Sequence, residues 1–403
     1  MGTVVLLAGL VVGGGQGDPI GALRQHLSGA RPRPALEEAE WATAPLTRRQ
    51  AEKAAAMLWE DYVAHVRATR RKAFDGRVIR RGDHAMPYAF RTFGEPGKGG
   101  RSAWISMHGG GNAATSVNDG QWENQKGLYK PSEGVYLAPR APTDTWNLWH
   151  QAHIDSMFDA LITDLVVFEG VDPDRIYLMG YSAGGDGVYQ LAPRMADRFA
   201  AAAMMAGHPN ETRPDGLRNL PFTLHVGGED GAYDRNAVGR KWGVDLAALR
   251  AEDPDGYEHW VEIHEGKGHW MDRQDAAALP WMAKHTRDLR PERIVWLQDD
   301  VVHHRFYWLA VDEPAARTRV VVERSGQLVR IAQADGISRL TVRLDDAMCR
   351  LDRPVTVKWQ DRVLFRGVVP RTIATLARTL EERGDPSGLW SAEVAVDLPT
   401  EED

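Results

Sequence analysis

Ser182 lies between two glycines in the segment 180–184 (GYSAG), and this segment constrains the fold more than any other. The apolar run 176–179 comes directly before it, and small residues that can begin a helix follow. A hydroxyl stands clear of a strand-to-helix turn only where the backbone turns sharply, since side chains at the glycine positions would collide with neighbouring strands. With 40 glycines in 403 residues this pattern can arise by chance, so its meaning depends on whether the other motifs of a catalytic site are present.

A second glycine-rich segment follows an earlier apolar run. Residues 103–107 (AWISM) predict a buried strand, and three glycines follow His108 at once. Glycine amide N–H groups can approach a substrate closely, as an oxyanion hole requires. We expect Gly109 or Gly110 to supply one donor and Ala183, the residue after the serine, to supply the other. His108 is expected to brace the loop.

Two further strand-like runs each end in a polar turn. The run 220–226 precedes a turn that holds Asp230, and the run 257–263 precedes a turn that holds His269. The carboxyl ends of parallel strands meet at one edge of a sheet, so both turns should lie beside Ser182. A serine, an acid and a histidine in this chain order predict a catalytic triad, with the histidine as base and the acid as its orienting partner.

Other residues compete for the acid and base roles. Asp234 is the main rival acid, but it falls where a helix can begin, whereas Asp230 sits in the turn; Glu229 is a lesser rival. His269 is preferred because it alone follows a strand and a Gly-x-Gly turn after the acid. The histidines that compete with it are His259, His264 and His285.

Residues 100–285 resemble the α/β-hydrolase superfamily, and within it the single-domain esterases related to polyhydroxybutyrate depolymerases, feruloyl esterases and dienelactone-hydrolase-like proteins. The matching stretches are 108–111, 176–184, 227–230 and 268–269. The resemblance implies a serine hydrolase with a Ser-His-Asp triad, a mostly parallel sheet flanked by helices, and no cofactor. It says little about the substrate, because this fold carries many chemistries. No long insertion resembles a lipase lid, which argues against long-chain lipid substrates.

Composition places the chain among globular proteins and excludes several classes. With 403 residues, 43% hydrophobic and 26% charged, the chain is long enough for two or more domains. A net charge of -7 and a pI near 6.1 argue against a nucleic-acid partner. The single cysteine, Cys349, excludes intrachain disulfides and cysteine-rich metal sites, and the histidines lack the spacing of a metal motif. No metal is expected.

The first segment, 1–17, has two interpretations. Its apolar run 3–12 is followed by a glycine-rich stretch and resembles a signal peptide, although no basic residue precedes the run. It is too short for a membrane span. The alternative is a buried first strand. We favour export to the periplasm or the medium, with a cytoplasmic location as the alternative.

Changes in pattern divide the rest of the chain into three parts. Residues 18–75 predict a linker and an N-terminal helix that begins near position 46 and runs to about 72. Residues 76–290 predict the hydrolase domain, because strands alternate with helical segments after an antiparallel hairpin at 76–93. Residues 291–403 predict a small β-rich accessory domain.

The accessory domain is predicted to resemble a β-sandwich, because short strands alternate with turn signals. The strand-like runs lie at 293–297, 305–309, 319–322, 328–331, 340–344, 355–359 and 363–365. A helix at 372–383 and a last strand at 392–396 complete it. Such a domain can bind a carbohydrate or polymer, or serve packing and assembly, and the sequence leaves both open.

Aromatic side chains lie close in sequence to the predicted site. The residues that could line a substrate pocket are Trp122, Trp146, Trp149, Trp270 and Tyr181. Flat aromatic walls would suit a phenolic or sugar-linked ester. The alternative, which applies to at least half of the tryptophans, is that they only pack the loops.

The pattern as a whole predicts a serine esterase that acts on a small-molecule or polymer-linked ester. One alternative is a prolyl-oligopeptidase-like peptidase, which uses the same triad order, but the N-terminal segment shows no propeller repeats. Another is a non-catalytic relative that binds a partner, which retention of all three triad residue types disfavours. The oligomeric state stays open.

Overall fold

The structure, a computed structural model, describes residues 18–398. This part of the chain opens with helices α1 Pro19–Ser28, α2 Glu40–Thr43 and α3 Arg48–Asp75. The long helix α3 begins close to the predicted position because Thr47 and Gln50 form a capping box, in which each side chain accepts the other's backbone N–H. The predicted leader or buried strand at 1–17 lies outside the described residues.

A mostly parallel sheet forms the centre of the molecule. Its strands are β1 Val78–Arg81, β2 His84–Phe93, β3 Arg101–Met107, β4 Gly134–Pro139, β5 Val171–Tyr181, β6 Ala201–Met205, β7 Phe222–Gly227 and β8 His259–His264. The eight strands lie in the order β1-β2-β4-β3-β5-β6-β7-β8. β1 and β2 form the hairpin predicted at 76–93, and β2 is antiparallel to β4. The other neighbours are parallel, so the carboxyl ends of β3, β5, β7 and β8 share one edge.

Two apolar cores cover the two faces of this sheet, because successive strand residues point to opposite sides. On β5, Leu178 lies in one core while Met179 lies in the other. The helices that follow the strands are α4 Thr115–Gln125, α5 Ala152–Glu169, α6 Ala183–Arg194, α7 Arg235–Glu252 and α8 Ala278–Met282. Val188 of α6 packs into the first core and Leu279 of α8 into the second. Helices therefore flank both faces, as the alternating pattern predicts.

Two smaller sheets and a helix form the C-terminal part. Its strands are β9 Arg293–Leu297, β10 Arg305–Phe306, β11 Leu309–Ala310, β12 Arg319–Ser325, β13 Leu328–Ala334, β14 Arg339–Leu344, β15 Val355–Trp359, β16 Arg362–Gly367 and β17 Ala392–Asp397, with α9 Ile373–Arg383 before β17. The sheet orders are β10-β11-β14-β17 and β16-β15-β13-β12-β9. Trp296 and Leu340 from these two sheets share one continuous core with Leu178 of the large sheet. The β-sandwich arrangement itself stays a prediction.

The single strand predicted at 305–309 is wrong. Tyr307 has a φ of 53° and its N–H donates to the carboxylate of Asp197 at 2.8 Å, so the chain turns there. The indole N–H of Trp308 donates to the carbonyl of Pro291 at 2.9 Å and holds the turn. Two short antiparallel strands, β10 and β11, result. Phe306, Tyr307, Trp308 and Leu309 are all buried, but the hydrogen bonds of Tyr307 and Trp308 go to residues outside a strand pairing.

The N-terminal helices pack against the last helix. Leu23 of α1, Leu58 of α3 and Leu376 of α9 belong to one apolar cluster. The backbone N–H of Leu46 donates to the carbonyl of Arg371 at 2.9 Å, which ties the segment before α3 to the residues before α9. No helix within residues 18–398 is both long and apolar enough to cross a membrane.

Buried ion pairs join the C-terminal part to the large sheet. The guanidinium of Arg287 contacts the carboxylates of Asp385 and Asp174, each at 2.7 Å, and only 2% of the Arg287 side chain is exposed. Arg198 also contacts Asp385, at 3.3 Å. Burial opposes the charge on Asp385, but Arg287 and Arg198 outweigh it and lower the pKa of this carboxyl to about 2. The contact between the two parts is therefore partly ionic.

Candidate active site

Ser182 occupies a strained turn between β5 and α6. Its φ of 58° and ψ of -123° are unusual for a residue with a side chain, and its N–H donates to the carbonyl of Met205 at 2.9 Å. A Cβ on Gly180 would lie 2.1 Å from the carbonyl oxygen of Gly184, and one on Gly184 would lie 2.1 Å from that of Met107. Both glycines are needed because backbone fills the space a side chain would take. The turn presents the serine at the carboxyl edge of the sheet.

His269 lies between Ser182 and Asp230. Its Nε2 is 3.0 Å from the Oγ of Ser182, and its Nδ1 is 2.7 Å from an Oδ of Asp230. The Asp230 side chain is only 1% exposed, whereas that of His269 is 37% exposed. The hydroxyl of Tyr181 donates to the carbonyl of His269 at 2.9 Å and anchors its loop. The histidine therefore has a buried anion on one side and an open face toward the serine.

The rival acids and bases lie elsewhere. Asp234 is exposed at the start of α7 with a φ of 56°, and Glu229 is also exposed. His264 packs against His225, with 3.1 Å between their ring nitrogens. The Nδ1 of His259 faces the carbonyl of Tyr257, and the Nε2 of His285 lies 3.8 Å from Glu258. Among the described residues, Asp230 and His269 are the pair brought to Ser182.

The loop after β3 lies beside the serine. A Cβ on Gly109 would be 3.0 Å from the Cβ of Ser182, and one on Gly110, whose φ is 105°, would be 2.3 Å from the Oδ1 of Asn118. No hydrogen bond within residues 18–398 uses the amide N–H of Gly109, Gly110 or Ala183. These three predicted donors are thus free to bind an oxyanion, and that of Ala183 also lies at the N-terminus of α6.

His108 braces this loop rather than serving as a base. Its Nε2 accepts the N–H of Ala141 at 3.0 Å, and its Nδ1 is 2.6 Å from the carbonyl of Gly109. Burial lowers the pKa of His108 to about 4, so the ring stays neutral near pH 7. A neutral ring can donate from Nδ1 while accepting at Nε2. The bracing role expected from the sequence fits these contacts.

A cavity of about 320 Å³ opens at Ser182. It is lined by Gly110, Gly111, Asn112, Trp146, Ser182, Ala183, Asp186, His208, Asn210, Tyr233 and Arg235. Trp146 lies at its rim and is 58% exposed. Asp186, His208, Asn210 and Arg235 make much of the wall polar. Of the aromatic residues expected in the pocket, Trp146 alone lines the cavity, and Tyr233, which the sequence did not single out, adds a second aromatic ring.

The other aromatic candidates do not line the cavity. Trp149 is fully buried, and its indole N–H donates to the carbonyl of His108 at 3.0 Å, so its placement in the pocket is wrong. Trp122 donates to the carbonyl of Ala138. Trp270 is half exposed and packs edge-on against Tyr181, whose hydroxyl is already bonded. These rings fit the packing alternative.

Sequence reasoning missed the polar residues of the site. Asn118 accepts the N–H of Gly111 at 2.7 Å and donates to the carbonyl of Ala113, which fixes the glycine loop. Asp186 accepts the N–H of His208 at 2.6 Å, and burial raises the pKa of its carboxyl to about 6. Asp186 was detectable, because it follows the serine by one helical turn and so shares its face of α6. Asn118 had no comparable signal.

One group of carboxylates within residues 18–398 has ligand atoms close enough for a cation. Those of Glu211, Asp299 and Asp300 lie within 4.8 Å of one another. The guanidinium of Arg317 pairs with Asp299, and the side-chain amide of Gln190 donates to Glu211 at 2.9 Å. These partners already compensate part of the charge. None of the three carboxylates lines the cavity at Ser182.

Comparison with known proteins gives partial likenesses to esterases. No family model matches the chain. The putative esterase NocK of Nocardia uniformis subsp. tsuyamanensis is 34% identical to this chain over 125 residues. The match covers 30% of this chain and 34% of NocK, so the chain spans about a third of that relative's length. A thermostable esterase of known structure is 18% identical, with a TM-score of 0.41 over 52% of this chain and 62% of that one. The poly(3-hydroxybutyrate) depolymerase LpqC from Bordetella parapertussis is 16% identical, with a TM-score of 0.37 over 52% and 87%.

The fold itself rests on the architecture described above. The large sheet is mostly parallel, helices cover both of its faces, and Ser182 sits at a strand-to-helix turn at its carboxyl edge. The acid and the histidine follow the serine in the chain order of this fold class. This mostly parallel, helix-flanked sheet fits the α/β-hydrolase fold that the sequence resemblance implies.

Proposed function

We propose that the protein is a serine hydrolase that cleaves carboxylic esters through an acyl-enzyme. The observation that carries the proposal is the position of His269, whose two ring nitrogens lie 3.0 Å from the Ser182 hydroxyl and 2.7 Å from the Asp230 carboxylate. A base within hydrogen-bond reach of a nucleophile, and itself oriented by a buried acid, is the arrangement that nucleophilic catalysis needs.

In the first half of the proposed reaction, Ser182 attacks the ester carbonyl. His269 takes the hydroxyl proton at Nε2 as the Oγ–C bond forms, and Asp230 stabilises the imidazolium. The tetrahedral intermediate then collapses, the ester C–O bond breaks, and His269 gives the proton to the leaving alcohol. The acyl group is left on Ser182 as an ester.

The negative charge on the carbonyl oxygen is held by backbone amides in this mechanism. The N–H groups of Ala183 and of Gly110 or Gly109 serve as donors, since they have no other partner within residues 18–398. Gly110 is exposed to the cavity whereas Gly109 is buried, which favours Gly110. Prepositioned donors need no reorganisation when the charge develops.

Water completes the cycle. It enters the open cavity, loses a proton to His269 and attacks the acyl carbon, and the same amides hold the second oxyanion. The bond to Ser182 breaks and the histidine returns the proton to the serine oxygen. The products are a carboxylic acid and a free enzyme. No cofactor takes part in this scheme.

The substrate class is a small-molecule or polymer-linked ester. The cavity of about 320 Å³ suits a short acyl or alcohol group, and its open mouth leaves room for a longer chain outside. The similar proteins described above include the putative esterase NocK and a poly(3-hydroxybutyrate) depolymerase, which is consistent with this class.

The test is hydrolysis of 4-nitrophenyl esters from acetate to palmitate, together with methyl ferulate and a proline-linked anilide. Wild type should cleave the short esters, and Ser182→Ala should lower kcat by at least about 10⁴-fold. A fluorophosphonate should add its mass to wild type and not to Ser182→Ala. Ser156→Ala, which removes an exposed serine of α5, should behave as wild type in both assays.

Three results would contradict the proposal. Activity retained by Ser182→Ala would remove the serine from the mechanism. Cleavage of the anilide alone would identify a peptidase. Absence of turnover and of labelling in a folded wild-type protein would favour a binding role.

A further inference from the structure

Arg235 brings a positive charge into the cavity at Ser182. It is the first residue of α7 and follows the turn that carries Asp230. Its side chain is 12% exposed and lines the cavity beside Tyr233, whose ring centroid lies 4.8 Å from the guanidinium carbon. An arginine so deeply placed loses much of its hydration, and it gains from an anionic partner that the cavity admits.

The partners of Arg235 inside the protein are few and distant. Its Nη1 donates to the carbonyl of Ala232 at 3.3 Å and lies 3.7 Å from an Oδ of Asp230. Its Nε is buried and has no hydrogen-bond partner within residues 18–398. A guanidinium has five N–H donors, so most of its capacity is unused. The charge is only partly compensated.

The two carboxylates near Arg235 are both engaged elsewhere. Asp230 accepts from His269, which becomes positively charged when the serine attacks, so that Asp230 then faces two cations. Asp186 accepts the N–H of His208 at 2.6 Å, and no ion pair within 4.0 Å joins it to Arg235 among the described residues. Neither carboxylate can fully neutralise the guanidinium during the reaction.

We propose that Arg235 is a specificity-determining residue that binds a carboxylate on the substrate, so that the protein prefers small esters carrying one negative charge. This inference rests on the proposed ester hydrolysis. A carboxylate matches the planar guanidinium with two parallel N–H···O bonds, which a neutral group cannot replace. The carboxylate lies on either the acyl part or the alcohol part of the ester. Two pairs of substrates, one for each position, distinguish these alternatives.

The test compares acid esters with amides of the same shape. One pair carries the group on the acyl part, monoethyl glutarate against ethyl glutaramate. The other carries it on the alcohol part, 4-acetoxybutanoate against 4-acetoxybutanamide. Products are counted by mass spectrometry for the full-length wild type, Arg235→Gln, Arg235→Lys and Ser182→Ala. Arg240→Gln is the matched control, because Arg240 lies on the same helix, is half exposed and pairs with Glu265 at the surface.

Wild type should have at least a tenfold higher kcat/KM for the acid in one pair. Arg235→Gln should lower kcat/KM for that acid by about 10- to 100-fold, chiefly through KM, and should change the amide by less than about threefold. Arg235→Lys should recover only part of the loss, and Arg240→Gln should lose nothing. Glutarate should slow fluorophosphonate labelling of wild type and not of Arg235→Gln.

Several outcomes would overturn the inference. Equal losses of kcat on acid and amide would mean that Arg235 only positions Asp230. If wild type showed no preference for the acids, the cavity would not select an anion. The same would follow if wild type preferred ethyl 5-aminopentanoate, an ester that carries a positively charged amine. In each of these cases, Ser182-dependent hydrolysis of the ester bond in the neutral, amide-bearing substrates would still support the proposed esterase activity. Loss of all Ser182-dependent turnover would remove both proposals.

Discussion

Gly184 packs its Cα directly against the strand that leads to the glycine loop, so that a Cβ there would lie 2.1 Å from the carbonyl oxygen of Met107. The contact joins the turn that holds Ser182 to β3, and it sets how close the serine comes to the amides of the next loop. The distance between the nucleophile and the oxyanion donors therefore depends on the lack of a Cβ at Gly184.

Gly184→Ala should therefore damage both stability and activity. The methyl group forces backbone apart, which costs at least about 2 kcal/mol of unfolding free energy by the usual range for overpacking. Thermal unfolding and kcat with a short ester measure the two effects. Gly120→Ala is the control, since its Cβ meets nothing within 4 Å and Gly120 lies in α4, where alanine is favoured. A Gly184→Ala protein with wild-type melting and kcat would contradict this account of the elbow.

The acid of the proposed triad is tested by comparing two neighbouring aspartates. Asp230→Asn should lower kcat by about 10³- to 10⁴-fold, because the amide favours the wrong histidine tautomer and removes the buried charge. Asp234→Asn should change kcat less than about twofold, because Asp234 is exposed and makes no contact with His269 in the described structure. Steady-state kinetics on one short ester measure kcat for both variants. A similar loss of kcat in the two variants would leave the acid unassigned.

Asn118 is predicted to act on catalysis by holding the glycine loop. Asn118→Ala frees the N–H of Gly111 and the carbonyl of Ala113, so the loop should sample other positions. We expect kcat to fall by about 10- to 100-fold with a small change in KM, somewhat less than the loss of a full oxyanion donor. Asn124→Ala, at an exposed position of the same helix, is the control. If KM alone rose, Asn118 would contact substrate instead.

Asp186 should make stability depend on pH. Burial raises the pKa of its carboxyl from 3.8 to about 6, so the folded protein holds this proton more tightly than the unfolded chain does. The unfolding free energy therefore falls as pH rises from about 4 to about 6, and the loss is complete above that window. Asp186→Asn should gain relative to wild type over the same window, reaching about 3 kcal/mol at neutral pH.

Melting temperatures between pH 4 and pH 8 measure this difference. The buried carboxyl of Asp164, whose pKa burial also raises to about 6, is present in both proteins and cancels. Asp361→Asn, an exposed turn position, should show no such difference. A gap between wild type and Asp186→Asn that stays constant with pH would contradict the raised pKa.

Arg287 should matter for stability more than any surface arginine. Arg287→Ala removes the 2.7 Å partner of the buried Asp385, which keeps Arg198 at 3.3 Å, and of the partly exposed Asp174, and this costs about 3 kcal/mol. Arg48→Ala breaks an exposed pair with Glu52 and should cost no more than about 0.5 kcal/mol. Denaturant unfolding compares the two variants, and equal small losses would mean that the buried network is not needed.

Much of the fold could be predicted from the sequence because local signals carried it. Apolar runs located β3 and β7, and the helical pattern located the long helix α3, close to their observed bounds, whereas β5 extends beyond its predicted run to Val171–Tyr181. The strand predicted at 305–309 failed because the hydrogen-bond partner of Tyr307, Asp197, lies far away in the chain. Long-range partners leave no local pattern.

The sequence by itself selected the three residues of the proposed catalytic triad. Chain order, turn glycines and strand ends singled out Ser182, Asp230 and His269, since parallel strands must end at one edge. Only the tertiary structure decided what surrounds them. It buried Trp149 beneath the glycine loop and turned Arg235 toward the cavity. The lining of a cavity depends on packing between segments distant in sequence, whereas a turn or a strand end is set by neighbouring residues.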